Sequence, residues 1–167
     1  MYFDLHPSPV GPLLLTASET GLQSVSMLPE SGAHRVEAGW QRSPEALSRC
    51  RTQLDEYFSG ARQRFELDLD PQGTAFQLDV WQALRAIPYG HTASYGEIAR
   101  RVGRPKASRA VGAANNRNPI SIIVPCHRVI GANGTLVGFG GGLPRKRILL
   151  TLESGQQSYQ LPLLQVG

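Results

Sequence analysis

The sequence predicts an α/β (α+β) protein in two parts, and three observations carry that expectation. Short apolar runs alternate with turn residues through the first forty positions, the pattern of antiparallel strands joined by hairpins. After position 74 the apolar residues recur at three- and four-residue spacing behind capping residues, the pattern of helices. The charge also changes sign. Residues 1 to 73 carry 6 Arg or Lys against 10 Asp or Glu, a net of −4, and residues 74 to 167 carry 11 against 3, a net of +8. We therefore expect an N-terminal α/β domain over 1–73 and a C-terminal domain over 74–167, with the break at Pro71-Gln72-Gly73.

In order along the chain, Pro7-Ser8-Pro9-Val10-Gly11-Pro12 is a turn, Leu13 to Ala17 a strand, Glu19-Thr20-Gly21 a turn and Leu22 to Met27 a strand. Ser43 suits an N-cap with Pro44 behind it, and Leu47, Cys50, Leu54, Tyr57 and Phe58 share one face of the helix that Gly60 stops. Cys50, on that apolar stripe, reads as a core residue. Phe65 to Asp70 alternates like a half-exposed strand. Thr74 caps a helix with Phe76, Val80, Trp81, Leu84 and Ile87 inward, ended by Pro88-Tyr89-Gly90.

Ser94-Tyr95-Gly96-Glu97 has capping-box spacing and opens a short helix that runs to Gly103. Pro105 leads into a second helix made almost wholly of small residues, Lys106 to Asn116. The pair reads either as a helix-turn-helix or as two packed core helices. Asn133-Gly134 between Val129-Ile130 and Thr135-Leu136-Val137 signals a hairpin. Gly138-Phe139-Gly140-Gly141-Gly142 lacks the Lys and Ser/Thr ending of a nucleotide-binding loop, which excludes an NTP site. Pro144 starts a last helix, Arg145 to Glu153, with Ile148, Leu149 and Leu152 toward the core and a basic first turn outward. The uncharged tail from Gln156 to Gly167 is expected to be loosely held.

The chemistry concentrates in Ile122-Ile123-Val124-Pro125-Cys126-His127-Arg128-Val129-Ile130, a thiol beside an imidazole between apolar runs that read as buried strand or near-strand. Burial raises a thiol's pKa unless a base or positive charge compensates, and His127 is the available base. In an extended segment the two side chains point to opposite faces, so they need a bend or a bridging water, and Pro125 favours irregularity. The dipeptide alone leaves open an inert buried cysteine beside a satisfied histidine. Two distant cysteines suggest neither a disulfide framework nor a zinc site, and the four histidines show no ligand spacing, so no metal is expected. No apolar run approaches a membrane span and no leader is visible, so a cytoplasmic protein is expected. The basic half suits a phosphate backbone or serves as a solubilising surface.

Five motifs in order now add up to a resemblance. They are Ser94-Tyr95-Gly96-Glu97, Arg109-Ala110-Val111-Gly112, Asn118-Pro119, Pro125-Cys126-His127-Arg128-Val129 and Gly138-Phe139-Gly140-Gly141-Gly142. The second half closely resembles the O6-alkylguanine-DNA alkyltransferases, and the first half matches in general pattern. The resemblance implies a ribonuclease-H-like N-terminal sheet plus helix and a C-terminal helical domain with a winged helix-turn-helix. It implies one irreversible transfer of a methyl or alkyl group from O6-alkylguanine, and less readily O4-alkylthymine, in double-stranded DNA to Cys126 after nucleotide flipping. His127 would be the base through a water, oriented by Glu153, and Asn118 would tie this network to the neighbouring helix. Tyr95 would help push the phosphate and bond the flipped guanine. Arg109 would fill the vacated stack, with Ala110, Gly112, Ala113 and Ala114 along the minor groove. Val129, Phe139, Gly140 and Gly141, with Tyr95, would form the alkylguanine pocket. The resemblance implies no cofactor, and a monomer acting on DNA with cooperativity left open. Some members hold a structural zinc near the N-terminus, which is expected to be absent here, where no cysteine precedes Cys50.

Overall fold

The computed structural model describes residues 1–155; the tail expected to be loosely held lies outside them. The chain divides into two compact units, Met1–Gln72 with Pro119–Ser121, and Gly73–Asn118 with the described residues from Ile122 on.

In the first unit β2 (Leu13–Ala17) and β3 (Leu22–Met27) form the expected antiparallel hairpin, and β1 (Tyr2–His6), which the sequence had not singled out, pairs antiparallel with β2. Every residue of β2 is buried, as befits a strand flanked on both sides in the order β3-β2-β1-β4. The two-residue β4 (Gln41–Arg42) pairs parallel to β1 and had no sequence signal, because two exposed polar residues cannot show a period. On β1 it is Asp4 and His6 that are buried, held by Arg42 and Arg51 and by Asp55. Helix α1 (Ser48–Phe58) starts later than Ser43 suggested, since Ser43 Oγ caps only the preceding turn by accepting from the Ala46 N–H at 3.1 Å. Cys50, Leu54 and Tyr57 are buried on its inner face, and burial pushes the Cys50 thiol up to about 12, so it is inert.

Residues 65–70 do not form the expected strand. Leu69 makes a single parallel bridge to Leu22, and Asp70 anchors the segment by accepting from Ser18, Thr20 and Gln23 side chains at 2.7, 2.7 and 3.1 Å. Two backbone bonds, from the Leu22 N–H to the Asp68 carbonyl at 2.9 Å and from the Asp70 N–H to the Leu22 carbonyl at 2.7 Å, are all the ladder there is, and side-chain bonds do the rest. Residues 119–121 return to this unit, with Ile120 bridged to Val25.

The second unit opens as capping predicted. Helix α2 (Ala75–Arg85) carries a full Thr74–Gln77 capping box and α3 (Tyr95–Arg101) a Ser94–Glu97 one. Helix α4 (Ser108–Asn116) begins two residues after Lys106 and packs against α2 and α3, with Trp81 Nε1 donating to the Ala114 carbonyl at 2.9 Å. The short strands β5 (Ala93–Ser94) and β6 (Val129–Ile130) pair in parallel. The Asn133-Gly134 turn closes through the Gly131 N–H to the Thr135 carbonyl at 2.8 Å, so the turn signal is met while β6 pairs elsewhere. Helix α5 (Leu143–Ser154) has Pro144 in its first turn and ends on left-handed Gly155. Its faces differ from expectation. Ile148 is exposed and Leu152 half-buried, whereas Leu149, Leu150, Glu153 and Lys146 are buried. Lys146 breaks the outward basic turn, its ammonium turned inward to backbone carbonyls.

Among the described residues no helix is long and apolar enough to cross a membrane, and no cluster of His, Cys, Asp or Glu is arranged to hold a metal. Thr74→Ala removes the side-chain half of the α2 cap and is expected to lower stability by about 1 kcal/mol. Urea unfolding should show a lower midpoint at unchanged slope; an unchanged midpoint means that the cap contributes nothing.

Candidate active site

Cys126, His127 and Arg128 form one 3-10 turn, not the near-strand expected from their apolar flanks. The cause lies upstream. Ile122 has φ +75°, a conformation that β-branched residues rarely adopt, and Pro125 has ψ 66°, so the chain cannot stay extended. The turn closes through the Arg128 N–H to the Pro125 carbonyl at 3.0 Å. With three residues per turn, successive side chains diverge by about 120°. The thiol, the imidazole and the guanidinium therefore leave in three directions.

His127 is fully buried, and its Nε2 donates to Glu153 Oε2 at 2.7 Å. That bond sets the tautomer and leaves Nδ1 as a lone-pair acceptor, buried with no partner among the described residues. Arg128 grips the same carboxylate: Nε donates to Oε1 at 2.7 Å and Nη2 to Oε2 at 3.0 Å, while Nη1 donates to the Ile87 carbonyl at 2.7 Å. The Tyr89 ring lies under the guanidinium, 5.7 Å from Cζ to its centre.

Electrostatics follow from this burial. Burial pushes the Glu153 carboxyl up, but charge and hydrogen bonds from His127 and Arg128 win and hold it down to about 2. Burial pushes the His127 pKa down, Glu153 opposes, and the Arg128 and Lys146 charges add to the lowering, so the imidazole is neutral at pH 7. Burial also raises the Cys126 thiol, against a hydrogen bond from Asn118, the Lys146 charge and the backbone N–H groups of Cys126 and His127. The resting group is a thiol. It becomes a nucleophile only with a base at hand.

Asn118 Nδ2 donates to the Val124 carbonyl at 2.8 Å, and the side chain lies close enough to the Cys126 thiol to lower its pKa. Sequence reasoning missed its helical neighbour Asn115, buried, with Nδ2 donating to the Cys126 carbonyl at 3.4 Å. It also missed Lys146. The Lys146 ammonium donates to the carbonyls of Val129 at 2.6 Å and Val137 at 2.8 Å, and burial lowers its pKa to about 8 against the pull of Cys126. A helical step of three from Lys146 to Leu149 was the available signal, hidden because Arg145 and Arg147 make the turn look uniformly basic.

Tyr95 OH donates to the Val137 carbonyl at 3.2 Å, and burial, then the Cys126 charge, raises its pKa, which keeps it a neutral donor. Gly138 must lack a side chain: φ is +53° and a Cβ would stand 3.1 Å from Tyr95 Oη. Val129 is buried, Phe139 and Gly141 are half-buried and Gly140 is exposed. On α4, Arg109, Ala110 and Ala113 are exposed and Gly112 is half-buried against the Tyr95 ring. Ala114 is a correction: it is buried, so it belongs to the core and not to the outer face assigned to it.

The sequence matches the family described as 6-O-methylguanine DNA methyltransferase in two parts, the ribonuclease-like domain over residues 1–71 and the DNA binding domain over 75–155. A methylated-DNA–protein-cysteine methyltransferase of Methanosarcina acetivorans is 52% identical over 153 residues, which is 92% of this chain and 98% of that protein. One of Mycobacterium leprae is 53% identical over 149 residues, 89% of this chain and 90% of that one. The crystal structure of Mycobacterium tuberculosis OGT in complex with DNA matches with a TM-score of 0.86 at 49% identity, covering 93% of this chain and 94% of that chain.

Because the folded pKa of Glu153 lies below its unfolded value, its contribution to stability is present above about pH 4.5 and is lost as pH falls toward about 2. Glu153→Gln should therefore show a flatter acid limb in stability against pH than the wild type. Parallel curves between pH 5 and pH 2 count against an ionised, paired Glu153.

Proposed function

Since the chain belongs to the 6-O-methylguanine DNA methyltransferase family, we propose that Cys126 is the residue that takes the alkyl group and His127 the base that activates it. The activity is direct reversal of DNA alkylation by transfer to a protein cysteine. The single observation that carries the residue assignment is the pair of buried groups on the 3-10 turn: a thiol, and next to it in the chain a neutral imidazole with one nitrogen committed to an ionised carboxylate and the other an acceptor with no partner among the described residues.

A water between Nδ1 and Sγ passes the thiol proton to His127, and Glu153 stabilises the imidazolium that results. The thiolate attacks the alkyl carbon on O6 of guanine. The S–C bond forms as the C–O6 bond breaks, and the electron pair leaves with the base. Tyr95 exchanges its bond to Val137 for one to the departing guanine, whose developing negative charge it neutralises. The proton lost by the thiol ends on the guanine, and the thioether remains. A thioether has no good leaving group, so each molecule acts once.

The carbon under attack is hidden inside a duplex, and rotating the nucleotide out costs on the order of a few kcal/mol. Arg109, exposed at the start of α4 and without a hydrogen bond or ion pair among the described residues, fills the vacated stack. Ala110, Gly112 and Ala113 let the helix approach the minor groove closely. The wing is the Gly131–Thr135 turn. The Cys126 and Val129 carbonyls, held by Asn115 and Lys146, and the amides around Gly140 read the guanine edge, with Phe139 and Gly141 completing the pocket. A monomer acting without cofactor or metal, in a cytoplasm that keeps the thiol reduced, agrees with these groups.

Incubation with duplex DNA holding one O6-methylguanine, followed by peptide mass spectrometry, should find one methyl per protein on the Cys126 peptide; methyl on another peptide, or repeated turnover, would falsify the assignment. Cys126→Ser should bind the damaged duplex and transfer nothing. Arg109→Ala should slow repair of duplex DNA by tenfold or more and leave reaction with free O6-methylguanine nearly unchanged. Equal losses on both substrates remove the flipping role.

A further inference from the structure

Arg128 is not needed to hold His127, which Glu153 already bonds, yet it spends both sides of its guanidinium fork on Glu153 and its last nitrogen on the Ile87 carbonyl. A buried carboxylate facing a histidine alone would draw a proton onto that histidine to balance its own charge. Beside a permanent cation it has no such need. We propose that Arg128 is a positioning residue of the transfer reaction: by satisfying the charge of Glu153 through both oxygens, it keeps His127 an uncharged base until substrate is bound. This rests on the reading of His127 as the base.

The geometry supports the inference beyond charge alone. Glu153 Oε2 receives both His127 Nε2 and Arg128 Nη2, so the proton on the imidazole competes with a guanidinium proton for one oxygen. The Ile87 carbonyl and the Tyr89 ring prevent the guanidinium from swinging away. The other charged or titratable groups around His127 are Lys146, across from it on α5, and Cys126, before it in the turn. Tyr89 sits beyond Arg128, and Tyr95 faces Cys126 from α3. Lys146 acts in the same direction as Arg128 but bonds carbonyls, so it leaves the Glu153 charge untouched. The neutral imidazole is the useful form because a protonated one has no lone pair for the thiol proton.

The test reads the His127 ring directly, by nitrogen NMR of DNA-free protein across pH, so it does not depend on transfer to Cys126. Wild-type His127 should show the neutral Nε2–H tautomer at pH 7; an imidazolium signal there overturns the proposal without any variant. In Arg128→Met the His127 midpoint should rise by one pH unit or more. The acid limb of the single-turnover rate should move up with it, giving a tenfold or larger loss at pH 6 and a smaller one at pH 8. Arg128→Lys, which restores charge without the fork, should recover part of that shift. A folded Arg128→Met protein with an unmoved midpoint, or a loss of rate equal at every pH, means Arg128 is only structural. If wild-type protein carries no methyl on Cys126 while His127 behaves as stated, the transfer reading has failed and this one has not.

Discussion

The Glu153 carboxylate is the constraint on which the second unit depends. It is a formal charge in a region closed to water, and such a charge persists only if it is bonded on all sides. Its two oxygens draw together the last turn of α5, the 3-10 turn and, through Arg128, the segment after α2. Removing one partner of such a pair costs on the order of 3–5 kcal/mol, because the other is left charged and alone. The same bonds that fix the base therefore fix the fold around it.

Glu153 is one anion, while Arg128 and Lys146, cationic below about pH 8, are two cations. The resting site thus holds a surplus positive charge beside a neutral thiol. A thiolate formed at Cys126 stands beside that surplus, and the Lys146 charge lowers the cost of making it where burial would forbid it. The site resists the thiolate by desolvation and favours it by charge, and a bound substrate with a base in place is what tips it.

Where local signals suffice, the fold was legible. The strands over 13–17 and 22–27 followed from turn residues between apolar runs, and the caps at Thr74 and Ser94 followed from side chains that bond within three residues. What failed depended on distant partners. Residues 65–70 alternate like a strand, but their backbone meets another strand only at the single bridge around Leu69, and β4 exists because β1 offers an edge. Ser43 capped a turn instead of the helix, since both use the same local bond. Ile148 and Leu152 were assigned inward by type, whereas burial went to Lys146, Leu150 and Glu153. The site divides the same way. Cys126, His127, Asn118 and Glu153 were named from motif resemblance, and Glu153 bonds His127 while Asn118 lies beside Cys126, whereas Asn115 and Lys146 carried no motif and emerge only from hydrogen bonds across 11 and 17 positions. Ala114 was misplaced because alanine fits a groove and a core equally well.

The 3-10 turn has a consequence for how this chain can change length. Three consecutive side chains serve three separate neighbours, so a single residue inserted or deleted between Pro125 and Val129 rotates each by about 120° onto the wrong one. A substitution there alters one contact, but a one-residue length change alters all of them, and Ile122 upstream already occupies a rare backbone state with no slack to absorb it. Length variation in relatives should then gather in the exposed connection between β3 and β4, where residues 33–39 pair with no strand, and be absent from 122–130.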